Sequence, residues 1–353
     1  MTKRTLTYFF LIAFFVGAAG SILLGRFFIP YLAAATGWES LNKLVTSSPI
    51  IINRTSELQL NEGVNLIDLA KQANNITVSI YSPAPNPSYL GNGVVMTSDG
   101  LIFTSKTIFN NQKEYQVVLN DGRVYQAQVR AVDPKSDIGV LTINEKNLNP
   151  ASFANALDLQ VGQRLITIGE TNTPFNRSAT AGYVSNTAWN TMNQLWRPFT
   201  TEVLENSFET DSEINNGRFV GSPIINLNGK VVGMATGFAM QKIVISENLQ
   251  TALNSYLSQG KIIRPKLGLS YFNVSQSIAR LKNLPRAGVE VIKADDGSPA
   301  AGKLLPRDLI FEVDGQSLDN QSFEQIVNRH AVGEIKFKLL RNGKEAEVSV
   351  NLE

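Results

Sequence analysis

The chain contains no cysteine and a single histidine, His330, in 353 residues. The first absence excludes a disulfide framework, a CxxC redox pair and a Cys/His metal cluster. Neither a metal site nor a cofactor is expected. Cysteine-free chains occur in either redox compartment, so the absence does not place the protein. An excess of charge of one sign is also missing. Lys and Arg number 32 against 30 Asp and Glu, for a net charge of +2, and nothing in that balance calls for nucleic acid or an acidic substrate. Internal repeats and low-complexity tracts are absent. At this length one core is too few, and two domains with accessory segments are expected.

Long hydrophobic runs are missing too, with one exception. Leu6–Gly25 carries no charge, is rich in Phe, Leu, Ile and Ala, follows Lys3 and Arg4, and ends at Arg26. At ~1.5 Å rise per residue the run nearly spans a hydrocarbon core of ~30 Å. The basic flank puts the N-terminus in the cytoplasm and the bulk outside. The expectation is a cytoplasmic tail over 1–5, a single-pass membrane helix over 6–26 and a polar stalk over 27–62. The alternative is a cleavable signal peptide, for which Ala33-Ala34-Ala35 offers small residues, but the run is long for a signal core and Arg26 interrupts the approach.

Beyond the stalk, Val64–Lys71 has helical spacing, and short β-rich runs then follow at regular intervals. One series is Ile76–Tyr81, Gly93–Met96, Leu101–Thr104, Tyr115–Leu119, Val124–Ala131 and Gly139–Ile143. A second is Arg164–Ile168, Thr180–Val184, Thr200–Phe208, Ser222–Ile225, Val231–Gly237 and Ile243–Ile245. Asp99-Gly100, Asp121-Gly122 and Asn228-Gly229 sit between runs as hairpin turns. Two such sets predict two β-barrels over 63–246. Ser246 can cap a helix with Leu249, Leu253, Tyr256 and Leu257 on its apolar face, ended by Gly260; this gives a connector over 247–263. A small α/β domain over 264–353 completes the chain, with helices near Ser275–Lys282 and Gln321–Arg329.

Several motifs in order resemble the HtrA/DegP-type trypsin-fold serine proteases. They are Gly91-Asn92-Gly93-Val94-Val95, Asp99-Gly100-Leu101-Ile102-Phe103-Thr104, Asp121-Gly122-Arg123, Asp133-Pro134 with Asp137-Ile138-Gly139-Val140-Leu141, and Thr180-Ala181-Gly182-Tyr183-Val184-Ser185. The resemblance implies a mainly β, two-barrel trypsin-like domain and a catalytic triad in the chain order His, Asp, Ser. Here Thr107 takes the histidine position, Asp137 the aspartate position, and Val220 (or Phe219, because the segment Ile214–Pro223 is one residue longer than the pattern) the serine position. Neither apolar side chain can attack a carbonyl. A hydroxyl without an adjacent base is a poor nucleophile, and loss of nucleophile and base leaves only ~10³–10⁴ over water. Ser222 is a displaced nucleophile candidate, two positions late. Ser105-Lys106 reads as a loop pair pointing to opposite faces, and His330 as a helix-end residue of the last domain. Thr107 is expected to donate a hydrogen bond to Asp137, and Arg218 and Phe219 are expected to face a partner.

The last domain resembles a PDZ domain. Arg264-Pro265-Lys266-Leu267-Gly268-Leu269 matches the entry loop, and Gly297-Ser298-Pro299-Ala300-Ala301, Asp308-Leu309-Ile310 and Val313-Asp314-Gly315 follow in order. The resemblance assigns Leu267, Gly268 and Leu269 to peptide binding, through backbone N–H groups that hold a terminal carboxylate. Arg307 replaces a customary glycine. The functional expectation is an extracytoplasmic, membrane-anchored pseudoprotease that binds peptides, protein C-termini or unfolded proteins in protein quality control. An active serine endopeptidase using Ser222 and a structural scaffold are the alternatives. The family also implies a homotrimer.

Overall fold

A computed structural model describes residues 8, 12–17, 20, 21, 24 and 66–353, apart from 84, 111, 113, 171–176, 188–197, 205, 215, 238–242, 320 and 321. The chain falls into two units, Met1–Gly63 and Val64–Glu353. In the first, residues 12–17 are helical. No helix among the described residues is long and apolar enough to cross a membrane. Most of the expected anchor over 6–26, and all of the stalk over 27–62, lie outside the described residues.

The second unit opens with α1 (Leu66–Ile76), an amphipathic helix that buries Leu69, Ala73 and Ile76. Six strands follow: β1 (Thr77–Tyr81), β2 (Tyr89–Val95), β3 (Leu101–Ser105), β4 (Glu114–Val118), β5 (Val124–Val132) and β6 (Ile138–Ile143). They close into a barrel in the order β1-β2-β3-β6-β5-β4, with β4 pairing back onto β1. Several strands are buried on both faces, and the period-2 alternation of side chains explains how. In β3, Ile102 enters the barrel core with Val78, Ile80, Val117 and Leu141, while Leu101 and Phe103 face the opposite way into a seam with Ile166, Ile168, Ile225 and Met234.

That seam joins the barrel to a second antiparallel sheet. Its strands are β7 (Arg164–Glu170), β8 (Arg177–Asn186), β10 (Glu209–Thr210), β11 (Pro223–Asn226), β12 (Val231–Ala235) and β13 (Ile243–Ile245), in the order β10-β8-β7-β11-β12-β13. The extended run expected over Thr200–Phe208 does not belong to it. Among the described residues only β9 (Phe199–Thr200) forms there, and it pairs with a strand of the C-terminal domain. Alternation in a β-rich run sets which side chains are buried but not which sheet edge accepts the strand.

Helix α2 (Ser246–Gln259) begins directly after β13 and ends at Gly260, whose left-handed φ of 70° lets its N–H reach Tyr256 O. Ser246 is its first residue rather than its cap; the hydroxyl donates to Ala154 O at 2.7 Å. Leu257, expected on the apolar face, is exposed. The C-terminal domain has strands β14 (Leu269–Val274), β15 (Gly288–Ala294), β16 (Leu309–Val313), β17 (Gln316–Ser317), β18 (Gly333–Arg341) and β19 (Lys344–Leu352), with helices α3 (Gln276–Leu281) and α4 (Phe323–Arg329). The sheet order is β19-β18-β16-β15-β14-β9, so the last strand of this sheet is borrowed from the segment between β8 and β10.

Candidate functional site

Three places hold the residues singled out by sequence: the turn after β3, the loop before β11, and the entry loop of the C-terminal domain.

A 3₁₀ turn, Lys106–Ile108, follows β3 with Ser105 as its cap. The Thr107 hydroxyl lies 2.7 Å from Ser105 Oγ and 3.4 Å from Thr236 O, and Ser105 Oγ donates to Thr236 O at 3.0 Å. The expected Thr107–Asp137 hydrogen bond is not made. The Asp137 carboxylate instead pairs loosely with Lys106 Nζ at 3.9 Å, both groups partly exposed. Ser105, expected in a solvated loop pair with Lys106, is instead the fully buried last residue of β3, while Lys106 begins the turn and is partly exposed. His330 lies in the C-terminal domain as the C-cap of α4, with Nε2 3.0 Å from Asp314 Oδ2.

The loop before β11 is turned inward. Phe219 is buried in the core of the second sheet with Leu165, Val184 and Ile224. Val220 is fully buried in the core of the first barrel with Ile80, Ile102 and Ile108. Consecutive side chains thus enter two different cores, and the expectation that Phe219 faces a partner is overturned; Arg218 alone of the pair is exposed. Backbone bonds fix this shape. Arg218 N–H donates to Asn216 Oδ1, Phe219 N–H to Asn216 O, Gly221 N–H to Ala235 O and Ser222 N–H to Phe219 O. An oxyanion site needs N–H groups aimed at one external point; these four are used internally. Gly221 has φ +79°, and a Cβ there would lie 1.9 Å from Asn92 O, so only glycine fits. Ser222 is fully buried, and its Oγ accepts from Asn92 Nδ2 at 2.9 Å.

Asn92, quoted only as part of a motif, is the residue that sequence reasoning missed here. Its backbone N–H donates to Val220 O at 2.7 Å, and its Nδ2 also donates to Arg218 O at 2.7 Å. Tyr89 OH donates to the same Arg218 carbonyl at 2.9 Å. Burial and the nearby Glu170 carboxylate push the Tyr89 phenol well above the usual tyrosine value. Glu170 is itself buried and accepts from Ser79 Oγ and, at 2.9 Å, from Tyr81 OH.

At the third place, the N–H groups of Leu267 and Gly268 converge on one oxygen, Oε1 of Glu202, at 3.3 and 2.8 Å. Leu269 N–H donates to Thr201 Oγ1, and Thr201 N–H to Leu269 O at 2.9 Å. Gly268 is left-handed, with φ +70°, and a Cβ there would fall 2.2 Å from Ser298 Cβ. Just behind this loop, Arg264 binds Asp133 of the first barrel through Nε at 3.0 Å and Nη2 at 2.6 Å, with both side chains fully buried. Burial pushes the Asp133 carboxyl up, but the Arg264 charge and hydrogen bonds outweigh it and leave the pKa below the usual value. The Asp133 Oδ1 also accepts from the N–H groups of Lys135 and Ser136. Among the described residues no group of three or more His, Asp or Glu side chains is placed to hold a metal ion.

Residues 91–234 match the trypsin-like peptidase domain family and residues 265–352 the PDZ domain family. The periplasmic pH-dependent serine endoprotease DegQ of Escherichia coli is 32% identical over 294 residues, covering 77% of this chain and 61% of that protein. A probable periplasmic DegP-like serine endoprotease of Halomonas elongata is 30% identical over 277 residues, covering 74% of this chain and 56% of that protein. The chain thus spans a little over half the length of these curated relatives. Among solved structures, the HtrA-type protease AlgW with a tripeptide superposes with a TM-score of 0.64 at 24% identity, covering 81% of this chain and 96% of that one. The same protease with a decapeptide gives 0.62 at 23%, covering 81% and 97%. At that identity the likeness is one of fold.

Proposed function

The chain belongs to the HtrA-like family, joining a trypsin-like peptidase domain to a PDZ domain, and from that premise we propose that it does not cut peptide bonds and works by binding the C-terminal ends of polypeptides. The observation that carries the first half is the loop before β11. Positions 219 and 220, where the family pattern sets its serine, are occupied by apolar side chains divided between two cores. Thr107 stands at the histidine position and is hydrogen-bonded away from Asp137. The only histidine of the sequence belongs to the other domain. Without a base and a nucleophile the covalent step has no route, and the expected loss against an intact triad is roughly 10⁶ in turnover.

The second half rests on the entry loop Pro265–Leu269. Its N–H groups already hold a carboxylate and its neighbouring strand already accepts an added strand, the two contacts by which such domains bind peptides. The names of the relatives support an extracytoplasmic location, and the apolar run 6–26 then serves as the anchor. A homotrimer accords with the family, and a pure scaffold would keep the fold without using the groove.

A rival reading draws on those same names: a serine endopeptidase using Ser222. Its hydroxyl is fully buried and engaged by Asn92. Incubating the protein with a fluorophosphonate probe and an unfolded substrate separates the two. No labelling and no cleavage is the expected result. Labelling that disappears in Ser222→Ala would overturn the proposal.

A further inference from the structure

We propose that Phe199–Glu202 is a built-in ligand that fills the peptide groove of the C-terminal domain, and that the external partner is a polypeptide C-terminus with an aromatic residue two places before a small last residue, which must displace this segment to bind. The inference rests on the reading of the groove as a site for C-termini.

Four features of the segment coincide with what a bound C-terminus requires. Its direction is right: β9 adds antiparallel to the free edge of β14, with Thr200 opposite Ser270 and Phe199 opposite Tyr271. Its last paired residue, Thr201, donates its N–H to Leu269 O, the first residue of that strand. A carboxylate stands beyond it, in the convergent N–H groups of Leu267 and Gly268. That carboxylate is the Glu202 side chain, because the Thr201 carbonyl, where a free chain would end, is turned to Lys135 Nζ at 2.7 Å. Finally, Phe199 is buried in the domain core, its ring centroid 5.8 Å from Tyr271, which in turn packs against Phe323 of α4 at 5.0 Å. Phe199 and Thr201 alternate inward and define the side chains the groove takes: aromatic, then small.

Further along, the segment is tied down by contacts that a peptide ending at Thr201 would not reach. Asn206 N–H donates to Glu324 Oε1 at 3.1 Å, and Asn206 Nδ2 to Ser322 Oγ at 2.7 Å, both at the start of α4. An intramolecular ligand acts at an effective concentration on the order of millimolar. An outside peptide therefore binds with its intrinsic dissociation constant divided by the fraction of molecules whose groove is open, which weakens it.

The test uses the full chain in mild detergent and a dye-labelled peptide with the sequence of Gln194–Thr201 ending in a free carboxylate, with its C-terminal amide as control. Binding is followed by fluorescence anisotropy for the unaltered chain, Glu202→Gln and Asn206→Ala. Glu202→Gln keeps the shape but removes the charge that the two N–H groups hold. Both variants bind the free acid at least about tenfold more tightly than the unaltered chain, since a charge-assisted contact or a buried pair of hydrogen bonds is worth that much. The amide stays weak throughout. A dye on a single cysteine at exposed Val203, feasible because the chain has no cysteine, reports the segment directly. Its anisotropy falls as unlabelled peptide saturates the chain. Equal affinity of all three proteins for the acid, with the amide weak and the dye at position 203 unmoved, overturns the built-in ligand and leaves the peptide groove standing. Equal binding of acid and amide to every protein overturns both.

Discussion

Arg264→Met, at the seam between the first barrel and the PDZ domain, should cost about 3 kcal/mol at pH 7. The figure follows from what the substitution strands. The Asp133 carboxylate is fully buried, and Arg264 supplies both hydrogen bonds to its Oδ2 and, among the described residues, the only countercharge paired with it. Removing one member of a buried pair costs ~3–5 kcal/mol. The low end applies because Lys135 N–H at 2.8 Å and Ser136 N–H at 3.2 Å still hold Oδ1. The pH dependence has a definite sign. The Asp133 pKa is held below the ordinary carboxylate value, so its stabilising contribution is complete above the unfolded pKa of about 3.9 and lost as pH falls through the folded value. In the variant burial is opposed only by the Lys135 and Ser136 contacts, and the carboxyl pKa rises. The deficit is therefore full at pH 7 and shrinks as pH approaches 4 and the stranded group takes a proton. Asp133→Asn in addition removes the stranded charge and should restore ~1–2 kcal/mol of the loss. Urea unfolding followed by circular dichroism at pH 7 and pH 4 measures all three. A loss below about 1 kcal/mol at pH 7, a deficit independent of pH, or a double variant no better than the single would each refute the reasoning.

Installing the two proposed triad residues as Thr107→His with Val220→Ser should not create a fluorophosphonate-reactive enzyme, because position 220 points into the first-barrel core and the N–H groups of Arg218, Phe219, Gly221 and Ser222 stay committed; strong labelling of that variant would show that the loop opens freely. Tyr89 should fail to ionise with the exposed tyrosines in an absorbance titration near pH 10, since burial and Glu170 raise its pKa. The linked stability is present below the unfolded tyrosine pKa of about 10 and declines above it, so alkaline unfolding and Tyr89 ionisation should coincide. Ionisation of every tyrosine in the folded chain by pH 10.5 would contradict the placement of its hydroxyl.

The strands of both β-units were legible because each depends on local signals: alternation, β-branched runs and Asp-Gly or Asn-Gly turns. That Val220 and Thr107 stand where the proposed alignment with the family sets a serine and a histidine was legible. Where their side chains go was not. Phe219 and Val220 are adjacent, and nothing local says that one fills the second core and the other the first. The link from Asp133 to Arg264 joins residues 131 positions apart, and each reads in the sequence as an ordinary charged residue near a proline. The misplaced strand is the most instructive case. Thr200–Phe208 is rich enough in β-formers to be read as a strand of the second barrel, yet its first residues find a better edge on β14, where the N–H groups near Gly268 reward a carboxylate three residues after the aromatic.

Lys135 explains why only a segment that brings a carboxylate, from a side chain or a chain end, could take that edge. Its ammonium is buried, donates to Thr201 O and Pro265 O, and lies 3.5 Å from Glu202 Oε2. Burial lowers its pKa and the Glu202 charge partly restores it, so the charged form depends on an anion staying at this point. If the segment left and nothing replaced it, a desolvated ammonium would remain without a counterion. A peptide ending at the Thr201 position brings its own carboxylate to the Lys135 side of the loop, so one ion pair is exchanged for another. A C-terminal amide offers the same strand and the same aromatic anchor but no charge, and would leave Lys135 unpaired. Lys135→Met should accordingly weaken the hold on the internal segment and on the outside acid together, and so narrow the difference between acid and amide. Binding of the acid by Lys135→Met with undiminished preference over the amide would show that the lysine takes no part in the choice.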